Sequence, residues 1–158
     1  MTEFEKQRNE LHAFLQLVEI AHLDADVSSI RQLNPPNPDI ICSVSGADRG
    51  FELTALTDPV IERKFGTGKF HYSNYRVDIA DAVECITRKA HKSYSMPRVE
   101  LIVHEGATPV DDLWSWDQSE LDAAIQLATD NSSFSRVWLL DMSNKKTRAY
   151  VRAQAPSS

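Results

Sequence analysis

The chain has few cysteines and no long apolar run, and both absences limit what it can be. Its two cysteines, Cys42 and Cys85, stand alone, without the spacing of a zinc site or a disulfide framework. We therefore expect reduced core thiols in a cytoplasmic protein. No apolar stretch reaches the length of a membrane span, and the charged first ten residues do not resemble a secretion signal. The sequence predicts no membrane partner.

Positive charge is also scarce. Lysine and arginine number 17 against 23 aspartates and glutamates, which gives a formal net charge of -6. Because proteins that grip duplex DNA usually present a basic surface, this balance argues against strong non-specific DNA binding, although a local basic patch or a metal site could offset it. The length of 158 residues predicts one domain, over residues 1–153, followed by a disordered tail at 154–158.

The segment from Arg63 to Arg76 carries the clearest basic patch. The run Gly66-Thr67-Gly68-Lys69 does not form a phosphate-binding loop, because Arg63 stands where that motif needs its first glycine. Cations alternate with aromatic residues here, a pattern that suits nucleic-acid backbones and exposed bases. The alternative is a loop whose aromatic side chains pack on the core while its charges face water. The candidate nucleic-acid contacts are Arg63, Lys64, Lys69, His71 and Arg76.

Apolar periodicity predicts alternating helices and strands. In the first helix, Leu11, Phe14, Leu15 and Val18 form one apolar stripe at three- and four-residue spacing. A strand that follows a helix after an earlier strand predicts a crossover onto the same sheet. We expect an α/β fold with a central mixed β-sheet flanked by helices. The predicted helices cover 3–22, 74–94 and 118–129, and the predicted strands cover 27–31, 39–44, 51–56, 99–103, 136–141 and 147–152.

Two acids occupy unusual positions in the hairpin formed by the strands at 39–44 and 51–56, which we expect to be joined by a turn over residues 45–50. Asp39 follows Pro38 at the entry of the first strand, and Glu52 interrupts the apolar second strand. Strand alternation places Glu52 and Thr54 on one face. A buried carboxylate is costly, and a hard divalent cation such as Mg²⁺ would relieve that cost.

The motif Pro38-Asp39, followed about a dozen residues later by Glu52-Leu53-Thr54, resembles the PD-(D/E)xK nuclease superfamily, and the similarity spans Asp39 to Tyr94. Thr54 replaces the usual motif lysine, as in an E-x-T variant group of small bacterial proteins. The resemblance implies a restriction-endonuclease-like core in which Asp39 and Glu52 hold one or two Mg²⁺ or Mn²⁺ ions.

The resemblance also suggests further site residues. Glu10 on the first helix would be an additional metal ligand or, alternatively, a solvated helix acid. Lys89, on the helix that ends in Arg88-Lys89-Ala90-His91-Lys92-Ser93-Tyr94, could replace the ammonium missing at Thr54, which would then contribute only a hydroxyl. The alternative for Lys89 is an interaction with the helix C-terminal dipole. The sequence does not decide whether Lys89, Lys92 or neither points inward.

Two functions follow from these features. The first is a metal-dependent nuclease that hydrolyses phosphodiester bonds in DNA or RNA, for which a homodimer would reach both strands. The second is a catalytically inactive nuclease-fold binding module, such as an immunity or inhibitor protein that masks a basic protein partner. The acidic net charge and the lost motif lysine favour the second function, and the acid within an apolar strand favours the first. Metal binding separates the two.

Overall fold

The computed structural model describes residues 2–56, 78–105 and 117–153, and within them the chain forms three helices and six strands. The predicted α/β class with a mixed sheet flanked by helices is confirmed. None of the helices in these ranges is long and apolar enough to cross a membrane. The elements are α1 (Glu3–Ile20), β1 (Ala25–Gln32), β2 (Ile40–Val44), β3 (Ala47–Ala55), α2 (Ile79–Lys89), β4 (Val99–His104), α3 (Gln118–Asp130), β5 (Arg136–Asp141) and β6 (Lys146–Val151).

The order of the strands in the sheet is the same as their order in the sequence. Strands β1, β2 and β3 form an antiparallel meander, β3, β4 and β5 are parallel, and β6 pairs antiparallel with β5. Parallel neighbours need a crossover connection, and α2 and α3 lie in the two crossovers of this sheet. The predicted crossover between β3 and β4 is therefore confirmed.

The sheet separates two apolar layers, because successive strand side chains point to opposite faces. On one face α1 packs with Phe14 against Phe51, and their ring centroids are 4.8 Å apart. On the other face α2 and α3 pack with Ile86 and Leu121 among the residues that cover Leu101. Both layers exclude water from the middle of β3 and β4, so a polar group placed there needs a partner inside the protein.

The predicted apolar stripe of α1 is rotated from the face that the structure buries. Leu15, expected in the stripe, is 38% exposed, whereas Ala13, Phe14 and Leu17 are fully buried. The buried face thus follows positions 10, 13, 14 and 17, and it includes Glu10. The prediction missed this face because a glutamate does not count toward an apolar pattern.

The hairpin between β2 and β3 is tighter than predicted. Its turn is Ser45-Gly46 alone, with φ of 53° and 83°, rather than a turn over 45–50. Two residues with positive φ suit the two-residue turn that matches the twist of antiparallel strands. Residues 47–50 therefore extend β3 and pair with β2, where Asp48 lies opposite Ser43.

Two helices are shorter than predicted. Helix α2 begins after Asp78, whose carboxylate accepts a hydrogen bond from the backbone N–H of Asp81, and it ends at Lys89. The predicted continuation to Tyr94 is wrong, and residues 74–77 lie outside the described residues. Helix α1 ends at Ile20 rather than at residue 22, because His22 has a φ of 54°, which does not continue a right-handed helix.

Candidate active site

Three acidic side chains come together where β2 begins. Glu52 lies in β3 and is 1% exposed, Glu10 projects from the buried face of α1 and is 9% exposed, and Asp39 directly precedes β2. The backbone N–H of Asp39 donates to Glu52 Oε1 at 3.2 Å, and the N–H of Leu53 donates to Asp39 Oδ2 at 2.9 Å. Strand pairing thus fixes both carboxylates of the hairpin through backbone donors.

Glu10 and Asp39 share an environment that disfavours negative charge. Burial, followed by the hydrogen bond and the charge of Asp39, raises the pKa of Glu10 to about 8. Burial, followed by the charge of Glu52, raises the pKa of Asp39. Glu10 is therefore largely protonated at neutral pH and can donate its proton to Asp39. Its Oε2 atom is buried without a hydrogen-bond partner in the part of the chain that the structure describes.

Glu52, in contrast, lies in an environment that favours its negative charge. Its Oε2 atom accepts from Lys92 Nζ at 2.6 Å and from the Tyr94 hydroxyl at 2.9 Å, and Lys89 Nζ lies 3.6 Å away. Burial works to raise the pKa of Glu52, but the charge of Lys89 and the hydrogen bonds from Lys92, Asp39 and Tyr94 outweigh it and lower that pKa. Glu52 is therefore ionised. Burial and the Glu52 charge raise the pKa of Tyr94, so its hydroxyl stays protonated and donates.

Lys89 reaches inward from the last turn of α2 to β3. Its Nζ donates to the carbonyl oxygen of Leu53 at 3.0 Å, which places the ammonium between Glu52 and Thr54 along the strand. Thr54 is 7% exposed and shares a face with Glu52, as strand alternation requires. An ammonium from α2 thus lies next to the strand position at which the motif lacks its lysine.

Tyr94 is a site residue to which the sequence assigned no role, and the sequence left open whether Lys92 points inward. Both lie beyond the end of α2, in the segment that leads to β4, where the apolar periodicity of the helix no longer predicts side-chain direction. The available signal was a charged and an aromatic residue that follow Lys89 in the sequence. The predicted nucleic-acid contacts Arg63, Lys64, Lys69, His71 and Arg76 lie outside the described residues.

The donor set can be tested against the divalent cation that the resemblance implies. Across residues 2–56, 78–105 and 117–153, no group of three or more His, Cys, Asp or Glu side chains has the geometry of a metal site. The oxygens of Glu52 accept hydrogen bonds from the Asp39 N–H and from Lys92 and Tyr94. The chemistry still fits, because the site offers hard carboxylate oxygens and the buried, unpartnered Oε2 of Glu10.

Comparisons of the chain with protein-family models, with curated proteins and with solved structures found no match.

Proposed function

We propose that the protein is a metal-dependent nuclease that hydrolyses phosphodiester bonds in DNA or RNA, with a restriction-endonuclease-like core. The observation that carries the proposal is the meeting of Glu10, Asp39 and Glu52 with the Lys89 ammonium at one place in the sheet. The order of elements supports it, because a helix, three antiparallel strands, a crossover helix and a parallel strand follow one another. The buried charges are costly for stability, and a function would explain why they are present.

Each residue of the site has a role in this proposal. Asp39, Glu52 and Glu10 would hold Mg²⁺ or Mn²⁺, which supplies charge stabilisation at the scissile phosphate and an activated water. Lys89 would place its ammonium where negative charge develops, in the role of the motif lysine. Thr54 would contribute only a hydroxyl beside it.

A cation that binds this site has to compete with the groups that now neutralise the acids. The Glu10 proton and the Lys92 ammonium now balance the charge of the acids. A cation must take the place of both, because ligand carboxylates have to be deprotonated and free of other partners. Lys92 is 42% exposed along its side chain, so it can leave Glu52 for solvent without a large rearrangement.

Calorimetric titration of Mn²⁺ tests the proposal when it is combined with a cleavage assay on single- and double-stranded DNA and RNA. We expect wild type to bind the ion and to cleave, and Glu52→Ala and Glu10→Gln to lose both. Glu19→Gln is the matched control for Glu10→Gln, because Glu19 lies on the same helix and is exposed. A wild-type protein that neither binds Mn²⁺ nor cleaves would contradict the proposal.

A specific observation favours the second candidate function, a catalytically inactive binding module that masks a basic protein partner. Glu52 is already satisfied by protein donors, and its pKa is low without any cation. A scaffold stabilised in this way needs no metal, and the net charge of -6 suits a basic partner. Absence of Mn²⁺ binding, together with a wild-type protein that inhibits a basic nuclease or toxin, would establish this alternative.

Cellular location and assembly belong to the same proposal. We place the protein in the cytoplasm, and the free, buried thiols of Cys42 and Cys85 support a reducing compartment. A homodimer would allow two sites to act on the two strands of a duplex. Sedimentation of the protein with and without a short duplex would measure that assembly.

A further inference from the structure

A cavity lies apart from the acid cluster. It has a volume of about 680 Å³ and opens where β3, β4 and β5 begin and β6 ends. Its charged lining residues are four arginines and two acids: Arg49, Arg98, Arg136, Arg152, Asp48 and Glu100. The cavity therefore carries an excess of positive charge in a chain whose net charge is negative.

Glu100 in the cavity and Glu52 in the acid cluster lie on opposite faces of the sheet. Glu100 is in register with Phe51, whose ring packs in the α1 layer, whereas Glu52 is in register with Leu101, which packs in the layer of α2 and α3. Paired residues of neighbouring strands share a face. The cavity is thus a separate site, and a ligand bound there does not contact Glu52.

Glu100 lines the cavity and contacts two of its arginines. Its carboxylate is buried and accepts hydrogen bonds from Nε and Nη2 of Arg49, both at 2.6 Å, and from Nε1 of Trp138 at 3.0 Å. Arg136 Nη1 lies 3.6 Å from the same carboxylate. The guanidinium groups of Arg49 and Arg136 also lie 5.5 Å from the ring centroids of Phe51 and Trp138. These contacts hold two arginines in place before any ligand arrives, which lowers the entropy cost of binding.

Arg98 and Arg152 supply positive charge that the acids of the site do not neutralise. Both are exposed, and among the described residues neither forms an ion pair. The Arg152 side chain is positioned by a hydrogen bond from Nη1 to the carbonyl oxygen of Ser132 at 3.1 Å. Arg98 has a φ of 60°, an uncommon backbone conformation for a residue with a side chain. Two unpaired guanidinium groups at the rim of a cavity suit an anion.

We propose that this cavity binds a phosphate-bearing ligand of nucleotide size. Guanidinium groups match phosphate oxygens with paired hydrogen bonds, and the volume lies within the usual range for small-molecule sites. Met96, Pro97 and Val151 form an apolar part of the lining, against which a base or sugar could pack. The same phosphate chemistry could come from a free nucleotide or from one nucleotide of a nucleic-acid strand.

Calorimetric titration with pyrophosphate, adenosine monophosphate and a ten-nucleotide single strand tests this site. We expect the double variant Arg98→Ala/Arg152→Ala to raise the dissociation constant about tenfold per arginine removed. The matched control, Arg8→Ala/Arg88→Ala, removes the same charge from two exposed helix positions and should leave the dissociation constant within about twofold, a change of less than 0.5 kcal/mol. Thermal melting of both variants verifies that they are folded.

The outcomes separate the sources and the two sites. Binding of the monophosphate identifies a free nucleotide as the ligand, and binding of the strand alone identifies a nucleic-acid backbone. No binding of any probe by wild type, or an equal loss in the control variant, would overturn the proposal. Because Glu52→Ala changes only the other face of the sheet, it should retain binding here, so failure of the nuclease proposal leaves this one standing.

Discussion

Lys92 Nζ lies 2.6 Å from Glu52 Oε2, although Lys92 belongs to the segment after α2 and Glu52 to the middle of β3. This contact joins the most buried carboxylate of the candidate site to a half-exposed ammonium. Lys89 Nζ lies 3.6 Å from the same oxygen and also donates to the Leu53 carbonyl. Both lysines therefore balance the Glu52 charge, Lys92 through a direct hydrogen bond and Lys89 from a position beside the strand backbone.

Removal of Lys92 should destabilise the protein. Lys92→Ala leaves the buried Glu52 charge with fewer donors, and because Lys92 is partly exposed we expect a loss of about 1–2 kcal/mol in the free energy of unfolding. Urea denaturation at neutral pH measures it. Lys146→Ala, on the exposed side of β6, is the control and should change stability by less than about 0.5 kcal/mol. Equal stability of Lys92→Ala and wild type would contradict the role given to this contact.

Stability should fall as pH rises through the titration of Glu10. The folded pKa of about 8 lies above the usual value of 4.5, so the folded state binds more protons than the unfolded state between those values. The stability that Glu10 contributes is complete below about pH 4.5 and is lost as pH approaches 8. Glu10→Gln imitates the protonated acid, and its advantage in free energy of unfolding over wild type should grow by roughly 4 kcal/mol between pH 5 and pH 9.

Urea denaturation of both proteins across this pH range measures the difference. Glu19→Gln, with the same substitution at an exposed position of α1, should follow the wild-type curve. If the free energies of unfolding of wild type and Glu10→Gln changed in parallel with pH, the pKa of Glu10 would not be raised by folding.

If the metal proposal holds, cation binding should release protons. Mn²⁺ must displace the Glu10 proton, so its affinity should rise about tenfold per pH unit between pH 6 and pH 8. Calorimetry in two buffers with different ionisation enthalpies counts the protons released. Lys92→Ala should bind Mn²⁺ more tightly than wild type because Glu52 is then free of its competitor. A Mn²⁺ affinity that does not change with pH would show that Glu10 is not a metal ligand.

A lysine at position 54 of β3 should take over the role proposed for Lys89. Lys89→Ala should lower the single-turnover cleavage rate about 10²–10³-fold, the usual cost of losing one charge-stabilising donor. Thr54→Lys on that background places an ammonium at the motif position and should recover part of the rate. Thr54→Met/Lys89→Ala, which adds similar length without charge, should remain as slow as Lys89→Ala. A wild-type rate in Lys89→Ala would remove Lys89 from the catalytic assignment.

The parts of the fold that depend on local pattern could be predicted from the sequence. The mixed sheet, the β3–β4 crossover and the proximity of Asp39 to Glu52 follow from strand alternation and from a hairpin. The burial of Glu10 could not be predicted, because an acid on the buried face of α1 interrupts the apolar stripe that identifies such a face.

The remaining features depend on contacts between distant segments. Lys92 and Tyr94 reach Glu52 across 40 and 42 residues of sequence, and they do so from a segment without regular periodicity. The arginine cavity collects side chains from the ends of several strands, and each arginine alone reads as an ordinary solvated charge. Only the register of the sheet brings them together.

The sequential order of the strands in the sheet has a consequence for how the site is assembled. All three acids lie between the start of α1 and the end of β3, whereas Lys89 and Lys92 follow later in the chain. During synthesis the acidic half leaves the ribosome first and stays without its counter-charges until the segment after β3 has been made. Packing of α2 and of the segment after it against the sheet is therefore the step at which Glu52 receives its counter-charges, so the late-arriving lysines complete the fold as well as the site.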